Sequence, residues 1–348
     1  MAVEPWSAGQ RPAKRATIVD VARHAGVSTA SASKVLRGVQ GVSPEMRERV
    51  EAAMAALSYR PHRLARGMRG STFTVGVMLS DIDNPFFGVL IKGLNEVFAT
   101  QKYELLIAPA TSGEDSQNAV IDSLIDHQMD GLVLVAPRSH EDHLEEIGKQ
   151  IPTVVIGPHG PSQQYDTVSG DDRLGSELVV DYLVALGHRR IAFLVNQHPS
   201  DLVNLPEEAR ARGYEEAMAR RDLTSEVTLI EGDWSHEGGR AVGQRVLETY
   251  PRPTAIFAGA DVAALGVLAR CWEAGVRIPE ELSVVGYDNS PTAALVPVSL
   301  TSVDQSGHEM GATAGRLLLD RIGGRSEPRN EVLTPRLVVR RTTGAAHS

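Results

Sequence analysis

The stretch from Thr17 to Gly38, "TIVDVARHAGVSTASASKVLRG", predicts two short helices joined by a glycine turn. Thr17 and Asp20 have the spacing of a capping box at the start of the first helix. Gly26 provides the turn, because glycine adopts a positive φ without steric strain. Ser28 is placed to cap the second helix, and Gly38 to end it. The pattern is therefore that of a helix-turn-helix.

A third helix is predicted by "VSPEMRERVEAAMAALSY", because Ser43 is a favourable N-cap and Pro44 a favourable first helical residue. Any three-helix bundle shares this outline. The outer face of the second helix favours DNA binding, because short polar side chains let a helix lie deep in the major groove. That face carries Thr29, Ser31, Ser33 and Lys34. Lys34 is long enough to reach a base edge or a phosphate.

The charge of the chain is unevenly distributed. The whole chain has a formal charge of −9, yet residues 1–70 contain 12 Lys and Arg against 5 Asp and Glu. A basic N-terminal module ahead of an acidic body suggests a polyanionic partner such as double-stranded DNA. A solvated basic arm without a partner would show the same asymmetry, so the charge is only supporting evidence.

The chain from Phe73 onward alternates short apolar runs with amphipathic segments. The apolar runs are "FTVGVML", "ELLIA", "GLVLV", "TVVIG", "RIAFLV", "TAIFAG" and "LSVVGY". This alternation predicts βαβ units and parallel sheets. A break near "VSGDDRLG" divides the runs into two sets, so we expect an α/β body of two doubly wound lobes.

Ligands of open α/β sheets bind beyond the carboxyl ends of the strands, which makes the residues after each strand candidates. An aromatic wall beside carboxylates suits a small polar ligand such as a sugar or a nucleobase. The residues after predicted strands are Ser80, Asp81, Asp261, Tyr287, Asp288 and Gln305, and "SDIDNPFF" adds Asp83, Phe86 and Phe87. For any single one of these, an exposed loop residue remains the alternative.

Enzymatic, metal-binding and membrane functions are not expected. The sequence has no P-loop, no dinucleotide fingerprint and no nucleophile elbow. His140 and His143 lie among carboxylates without a third ligand, so we expect neither a metal nor a cofactor. No apolar run approaches the length of a membrane span or a signal peptide, and the single cysteine, Cys271, is expected in a core. These features predict a cytoplasmic protein.

The N-terminal stretch resembles the headpiece of the lac-repressor-like (LacI/GalR) family of bacterial transcription regulators. It matches the pattern D-V-A-x-x-A-G-V-S-x-x-T-V-S-x-V-L-x-G with two mild departures, Ser31 and Ala32. The resemblance implies that Thr29, Ala30 and Lys34 read bases. It also implies a hinge helix in "RPHRLARGMRG", where Arg63, Arg66 and Arg69 would face phosphates and Met68 would enter the minor groove. The DNA-contact set we predict is Thr17, Ser28, Thr29, Ala30, Ser33, Lys34, Arg63, Arg66, Met68 and Arg69.

The resemblance continues through "RARGYEEAM", "EGDWSHEGG" and "ELSVVGYDN", which are similar to signposts of the family's effector-binding core. It implies that Arg210 clamps the effector and that Trp234 lines its pocket. It further implies that Asp288 accepts effector hydroxyls and that Gln305 lies at the lobe crossover. Our effector-site set is Asp81, Asp83, Phe86, Phe87, Arg210, Trp234, Asp261, Asp288 and Gln305. Ala260 and Gly157-Pro158 depart from the sugar-responsive pattern.

The expected fold is thus a helix-turn-helix headpiece on a two-lobed, periplasmic-binding-protein-like core. The expected boundaries are a disordered tail at 1–15, a headpiece at 16–60, a hinge at 61–71 and a core at 72–345, with an N-lobe at about 72–168 and 304–332 and a C-lobe at about 169–303 and 333–343. The implied function is a homodimeric repressor that binds a palindromic operator and responds to a small polar effector. A periplasmic binding protein would share the core. A cytoplasmic binding protein whose headpiece contacts a protein is the remaining alternative.

Overall fold

The computed structural model divides the chain into two compact units, one ending at Thr72 and the other beginning at Phe73. It describes residues 16–36, 41–59, 71–110, 113–158, 160, 162–196 and 205–347. The predicted N-terminal tail, the end of the second helix at Gly38 and nearly all of the predicted hinge lie outside the described residues.

The first unit contains the three predicted helices. They are α1 (Ile18–Ala25), α2 (Thr29–Leu36) and α3 (Pro44–Ala56). The capping box is confirmed, because the amide of Asp20 donates to Thr17 Oγ1 at 3.3 Å and the amide of Thr17 donates to Asp20 Oδ2 at 2.9 Å. Gly26 has the left-handed φ of 65° that the turn requires. The helices pack on a small core that consists of Val21, Ala22, Ala25, Ala32, Val35, Val50 and Ala53.

The second unit alternates strands and helices as the sequence predicts. Its strands are β1 (Thr74–Leu79), β2 (Glu104–Pro109), β3 (Gly131–Val135), β4 (Thr153–Ile156), β5 (Asp166–Gly170), β6 (Ile191–Val195), β7 (Thr228–Glu231), β8 (Ala255–Ala258), β9 (Ser283–Tyr287), β10 (Thr301–Asp304), β11 (Asn330–Leu333) and β12 (Arg336–Val338). Its α-helices are α4 (Pro85–Thr100), α5 (Glu114–Asp126), α6 (Glu141–Gln150), α7 (Asp172–Ala185), α8 (Pro206–Arg220), α9 (His236–Glu248), α10 (Asp261–Glu273) and α11 (Gly307–Ile322).

The strands form two six-stranded sheets, which define two lobes and confirm the predicted fold class. The first sheet has the order β11-β5-β4-β3-β1-β2 and the second the order β12-β10-β9-β8-β6-β7. All pairs are parallel except β10 with β12. The chain passes from one lobe to the other after Gly170, Asp304 and Leu333.

Helices cover both faces of each sheet, which explains why the inner strands read as continuous apolar runs. In β3 and β9, every residue is buried. Cys271 lies fully buried in the second lobe, where burial raises the pKa of its thiol. None of the helices within the described part of the chain is long and apolar enough to cross a membrane.

Candidate functional site

The first candidate site is the outer face of α2 in the headpiece. Ser28, Thr29, Ala30 and Lys34 are exposed there, and Ser33 is half-buried. The inward face of the helix is held by Ala32 and Val35, both buried. The division between the two faces therefore matches the predicted DNA-reading helix.

Two of the predicted DNA-contacting residues also act as helix caps. Ser28 Oγ accepts from the amide of Ser31 at 3.0 Å, and the hydroxyl of Thr17 donates to Asp20 Oδ2 at 2.7 Å. Both hydroxyls therefore lie at helix N-termini, where backbone N–H groups favour a phosphate. The predicted contacts Arg63, Arg66, Met68 and Arg69 lie outside the described residues.

The second candidate site is a cavity of about 740 Å³ between the two lobes of the second unit. Ten strands, β1 to β10, each contribute a lining residue at or within two positions of their carboxyl ends. This is where open α/β sheets bind ligands. Of the residues predicted for the effector site, those that line it are Asp81, Asp83, Phe86, Phe87, Arg210, Trp234, Asp288 and Gln305.

Arg210 is the most heavily constrained side chain of the cavity. It lies in the first helical turns of α8, and its guanidinium donates to Asp172 Oδ1 at 2.8 Å, to the carbonyl of Gly259 at 2.6 Å and to Gln305 Oε1 at 3.2 Å. It also lies 3.8 Å from the ring centre of Tyr287. Burial alone lowers the pKa of Arg210, but neighbouring acids, Asp172 above all, raise its pKa above the ordinary value.

Asp288, which follows β9 in the second lobe, is hydrogen-bonded to the first lobe across the cavity. Gln305 Nε2 donates to its Oδ1 at 2.5 Å, and Asn84 Nδ2, from the first lobe, donates to its Oδ2 at 3.2 Å. Burial raises the pKa of this carboxyl, although Arg210 opposes the shift. Asp288 is therefore a buried acceptor that both lobes contact.

Trp234 reaches the cavity through close packing on Gly259. The indole Nε1 donates to the carbonyl of Leu194 at 3.2 Å, and the ring centre lies 5.0 Å from the Arg210 guanidinium. A Cβ at Gly259 would be 2.1 Å from Trp234 Cζ2, so only glycine leaves room for the indole. The aromatic face is thereby fixed beside the guanidinium.

The first lobe supplies an aromatic and an acidic wall. The rings of Phe86 and Phe87 meet edge to face with centroids 5.8 Å apart. Asp81 and Asp83 are exposed at the rim, and Asp81 Oδ1 accepts from the amide of Asp83 at 2.8 Å. Pro158 and Ala260, the departures from the sugar-responsive pattern, line the cavity as well.

Asp261 is predicted for this site, but the structure does not place it in the cavity lining. Its carboxylate accepts from Ser302 Oγ at 2.6 Å and from the amide of Ser290 at 2.7 Å, and it is fully buried. Burial raises the pKa of this carboxyl. Asp261 therefore supports the strand ends beneath the cavity rather than facing it.

The sequence did not reveal the second charged pair in the cavity. Arg138, after β3, donates to Glu207 Oε1, in the first turn of α8, at 2.7 Å, and this bond joins the two lobes. Asp172 and Asn84 were also missed. The sequence did contain a signal for Asn84. In "DNPFF", Asn84 precedes Pro85 and is therefore a favourable N-cap for the helix that follows β1.

His140 and His143, which were considered as metal ligands, lie at the start of α6. His140 Nε2 lies 3.8 Å from Glu114, a long ion-pair distance. The described residues contain no group of three or more His, Cys, Asp and Glu side chains that could hold a metal ion.

Comparison with known proteins identifies relatives of both units. Residues 17–62 match the family model described as bacterial regulatory proteins, lacI family, and residues 180–343 match the periplasmic binding protein-like domain. The catabolite control protein A of Priestia megaterium is 32% identical over 305 residues, which are 87% of this chain and 91% of that protein.

Two solved structures extend the comparison. The lac repressor dimer bound to operator and the anti-inducer ONPF is 27% identical with a TM-score of 0.79, covering 95% of this chain and 100% of that one. A LacI family transcriptional regulator from Enterococcus faecium with bound ribose is 29% identical with a TM-score of 0.70, covering 79% of this chain and 100% of that one. The resemblance seen in the sequence is confirmed.

Proposed function

The chain belongs to the lacI family of bacterial regulatory proteins, and from that premise we propose that it is a DNA-binding transcriptional repressor controlled by a small polar effector. One observation carries the proposal: the same chain contains a helix with an exposed face of short polar side chains and an interlobe cavity lined by charged and aromatic side chains. The family consists of regulators rather than enzymes. The protein would bind its DNA in the cytoplasm.

In this proposal, α2 enters the major groove. Thr29 and Lys34 hydrogen-bond to base edges or phosphates, while the methyl group of Ala30 contacts a thymine methyl. The hydroxyl groups of Thr17 and Ser28 contact phosphates. From the sequence, we expect Arg63, Arg66 and Arg69 to contact DNA phosphates. Met68 would enter the minor groove, where it is an apolar wedge of suitable length.

The protein would act as a homodimer, because two headpieces are needed for two half-sites of a palindromic operator. The lac repressor with its similar fold is a dimer on its operator. The edge strand β2 supports this proposal, since Leu106 and Ile107 are 42% and 44% exposed on it. An exposed apolar edge is normally covered by another chain or element.

The effector would bind in the cavity, and the similar regulator from Enterococcus faecium has ribose bound. Arg210, Asp288 and Gln305 offer it donors and acceptors, and Trp234 offers an aromatic face. An effector that prefers one lobe arrangement shifts its population and thereby the affinity for DNA. The hydrogen bonds Asn84–Asp288 and Arg138–Glu207 join the two lobes, so a change in the lobe arrangement would have to stretch or break them.

The proposal is tested by selecting bound duplexes from a random DNA pool with the full-length protein. We expect an enriched palindrome and a steep, linear fall of log K with log salt, because phosphate contacts release counterions. Binding that is weak, unselective and lost at moderate salt, with and without added metabolites, would contradict the proposal. The headpiece would then have a partner other than DNA.

A further inference from the structure

The charges of the cavity are strongly unbalanced. Among the described residues that line it, six are carboxylates, Asp81, Asp83, Asp172, Glu207, Asp233 and Asp288, and two are guanidiniums, Arg138 and Arg210. Both lobes contribute carboxylates, so the imbalance is a property of the cavity as a whole.

Each of the two guanidiniums already has a protein carboxylate as its counter-ion. Arg210 is bound to Asp172, with the two side chains 6% and 5% exposed, and its other nitrogens are bound to Gly259 and Gln305. Arg138 is bound to Glu207, with the two side chains 18% and 9% exposed. Each positive charge is thus matched by a protein carboxylate at hydrogen-bond distance.

Helix N-termini are the other source of positive potential, and several of them face the cavity. Three of them are capped by the protein's own side chains, and two more, α8 and α10, have no side-chain cap but carry an acidic residue, Glu207 or Asp261, in their first turn. Asn84 Oδ1 accepts from the amide of Phe86 at 3.0 Å at the start of α4. Asp171 Oδ1 accepts from the amide of Leu174 at 2.9 Å in α7, and Ser235 Oγ accepts from the amide of Gly238 at 3.0 Å in α9.

We infer, on the premise of the proposed function, that the effector carries no negative charge: the cavity takes an uncharged or amino-bearing polyhydroxylated compound and rejects phosphorylated and carboxylated ones. Asp81, Asp83 and Asp233 are ionised carboxylates without a guanidinium partner among the residues that line the cavity, so they set its sign. At an effective dielectric constant of about 40 and a separation of about 6 Å, one like charge weakens binding about tenfold.

The test uses full-length protein and ligand pairs that share a carbon skeleton and differ in charge. The pairs are ribose and ribose 5-phosphate, glucose with glucose 6-phosphate, glucuronate and glucosamine, and adenosine with its monophosphate. Calorimetric titration is expected to show that the uncharged or amino member of any pair that binds does so at least about tenfold more tightly than the anionic member. A tighter anionic member would overturn the inference.

Inorganic phosphate supplies a probe that needs no cognate skeleton. Wild-type protein is expected to show no saturable phosphate binding in the millimolar range. Saturable binding that Arg138→Ala abolishes would overturn the inference, because it would mean that this guanidinium accepts anions.

A variant pair tests the physical cause. Glu207→Gln frees the Arg138 guanidinium and is expected to lower the preference for the uncharged member by about tenfold, since it removes one carboxylate and one ion pair. Glu208→Gln makes the same charge change on the next residue of α8, which is not among the lining residues, and is expected to leave the preference unchanged. Equal effects of the two variants would overturn the assigned role of the Arg138–Glu207 pair.

Failure of the proposed function gives a different result. If the protein selects an operator but no compound of either charge binds, the effector control proposed above is wrong, while the phosphate titration still decides whether the cavity excludes anions.

Discussion

The buried ion pair of Arg210 with Asp172 allows a quantitative prediction. The Nε–Oδ1 distance is 2.8 Å and the side chains are 6% and 5% exposed. Replacing either residue with Ala leaves the other charge buried without its counter-ion, which costs about 3–5 kcal/mol. Arg210→Ala also removes donors to the Gly259 carbonyl and Gln305, so it is expected at the upper end of that range.

The double variant separates the pair from its surroundings. When both side chains are absent, neither charge is left unpaired, so the double variant is expected to lose much less stability than the two single variants together. We expect a coupling free energy of at least about 2 kcal/mol, which is in the upper part of the range of about 0.5–3 kcal/mol for residues in contact. Subtracting this coupling from the stability lost in Arg210→Ala leaves the contribution of the contacts that Arg210 makes with Gly259, Gln305 and Tyr287.

Urea unfolding of the four proteins measures these free energies, and thermal unfolding gives the corresponding Tm values. A single replacement is expected to lower the Tm by about 6–10 °C, since about 1 kcal/mol shifts the Tm of a large unit by roughly 2 °C. Losses that add to within about 0.5 kcal/mol would refute the coupling, because independent sites behave in that way. In the same preparations, Arg210→Ala is expected to lose the effector response and to retain operator binding. Loss of operator binding instead would refute the effector role of Arg210.

Three further changes test other parts of the molecule. Lys34→Ala is expected to weaken operator binding and, if the ammonium contacts a phosphate, to reduce the salt slope by about 1, as measured by anisotropy titrations across salt concentrations. Gly259→Ala is expected to cost about 1–3 kcal/mol in urea unfolding and to weaken effector binding, because its Cβ would lie 2.1 Å from Trp234 Cζ2. Asp288 has its pKa raised from 3.8 to about 7 by burial, so the folded protein holds this proton more tightly than the unfolded chain. Its contribution to stability therefore falls as pH rises from about 4 to about 7, and Asp288→Asn is expected to remove that part of the pH dependence in a series of Tm measurements.

Each of these predictions has a result that contradicts it. Unchanged operator affinity and salt slope in Lys34→Ala would remove this residue from the interface. Wild-type stability and effector affinity in Gly259→Ala would mean that the indole position does not depend on the glycine. Parallel curves of Tm against pH for wild type and Asp288→Asn would mean that this carboxyl does not take up a proton on folding in that range.

The sequence predicts best those parts of the fold that local interactions determine. The caps at Thr17, Ser28 and Ser43 each depend on a side chain and an amide three residues away, and all three form. The apolar runs become strands because both faces of each sheet are covered. By contrast, four short strands were not predicted, β5 "DTVSG", β7 "TLIE", β11 "NEVL" and β12 "RLV", and β5 and β11 are polar as well.

The missed strands depend on partners that are distant in the sequence. Thr167 in β5 pairs with Asn330 in β11, and β5 also pairs with β4. No local pattern specifies such a pairing, because it arises only after the chain returns to the first lobe through α11. The lobe crossovers next to β5 and β11 therefore follow from tertiary structure rather than from composition.

The same distinction applies to the cavity. Residues that follow strands, such as Asp81, Asp288 and Gln305, were predicted because the geometry of parallel sheets brings strand ends together. Asp261 follows a strand too, but it begins a helix and its carboxylate turns to Ser302 on the neighbouring strand. The Arg138–Glu207 pair exists only where the lobes meet, which the order of residues does not encode locally.

The central claim is that one chain couples a DNA reader to a cavity for a small ligand. The most direct test is to measure operator affinity with and without the saturating effector, and effector affinity with and without the selected operator. We expect both affinities to change by the same factor, because coupling between two binding sites is reciprocal. Operator affinity that is identical with the cavity empty and filled would contradict the claim.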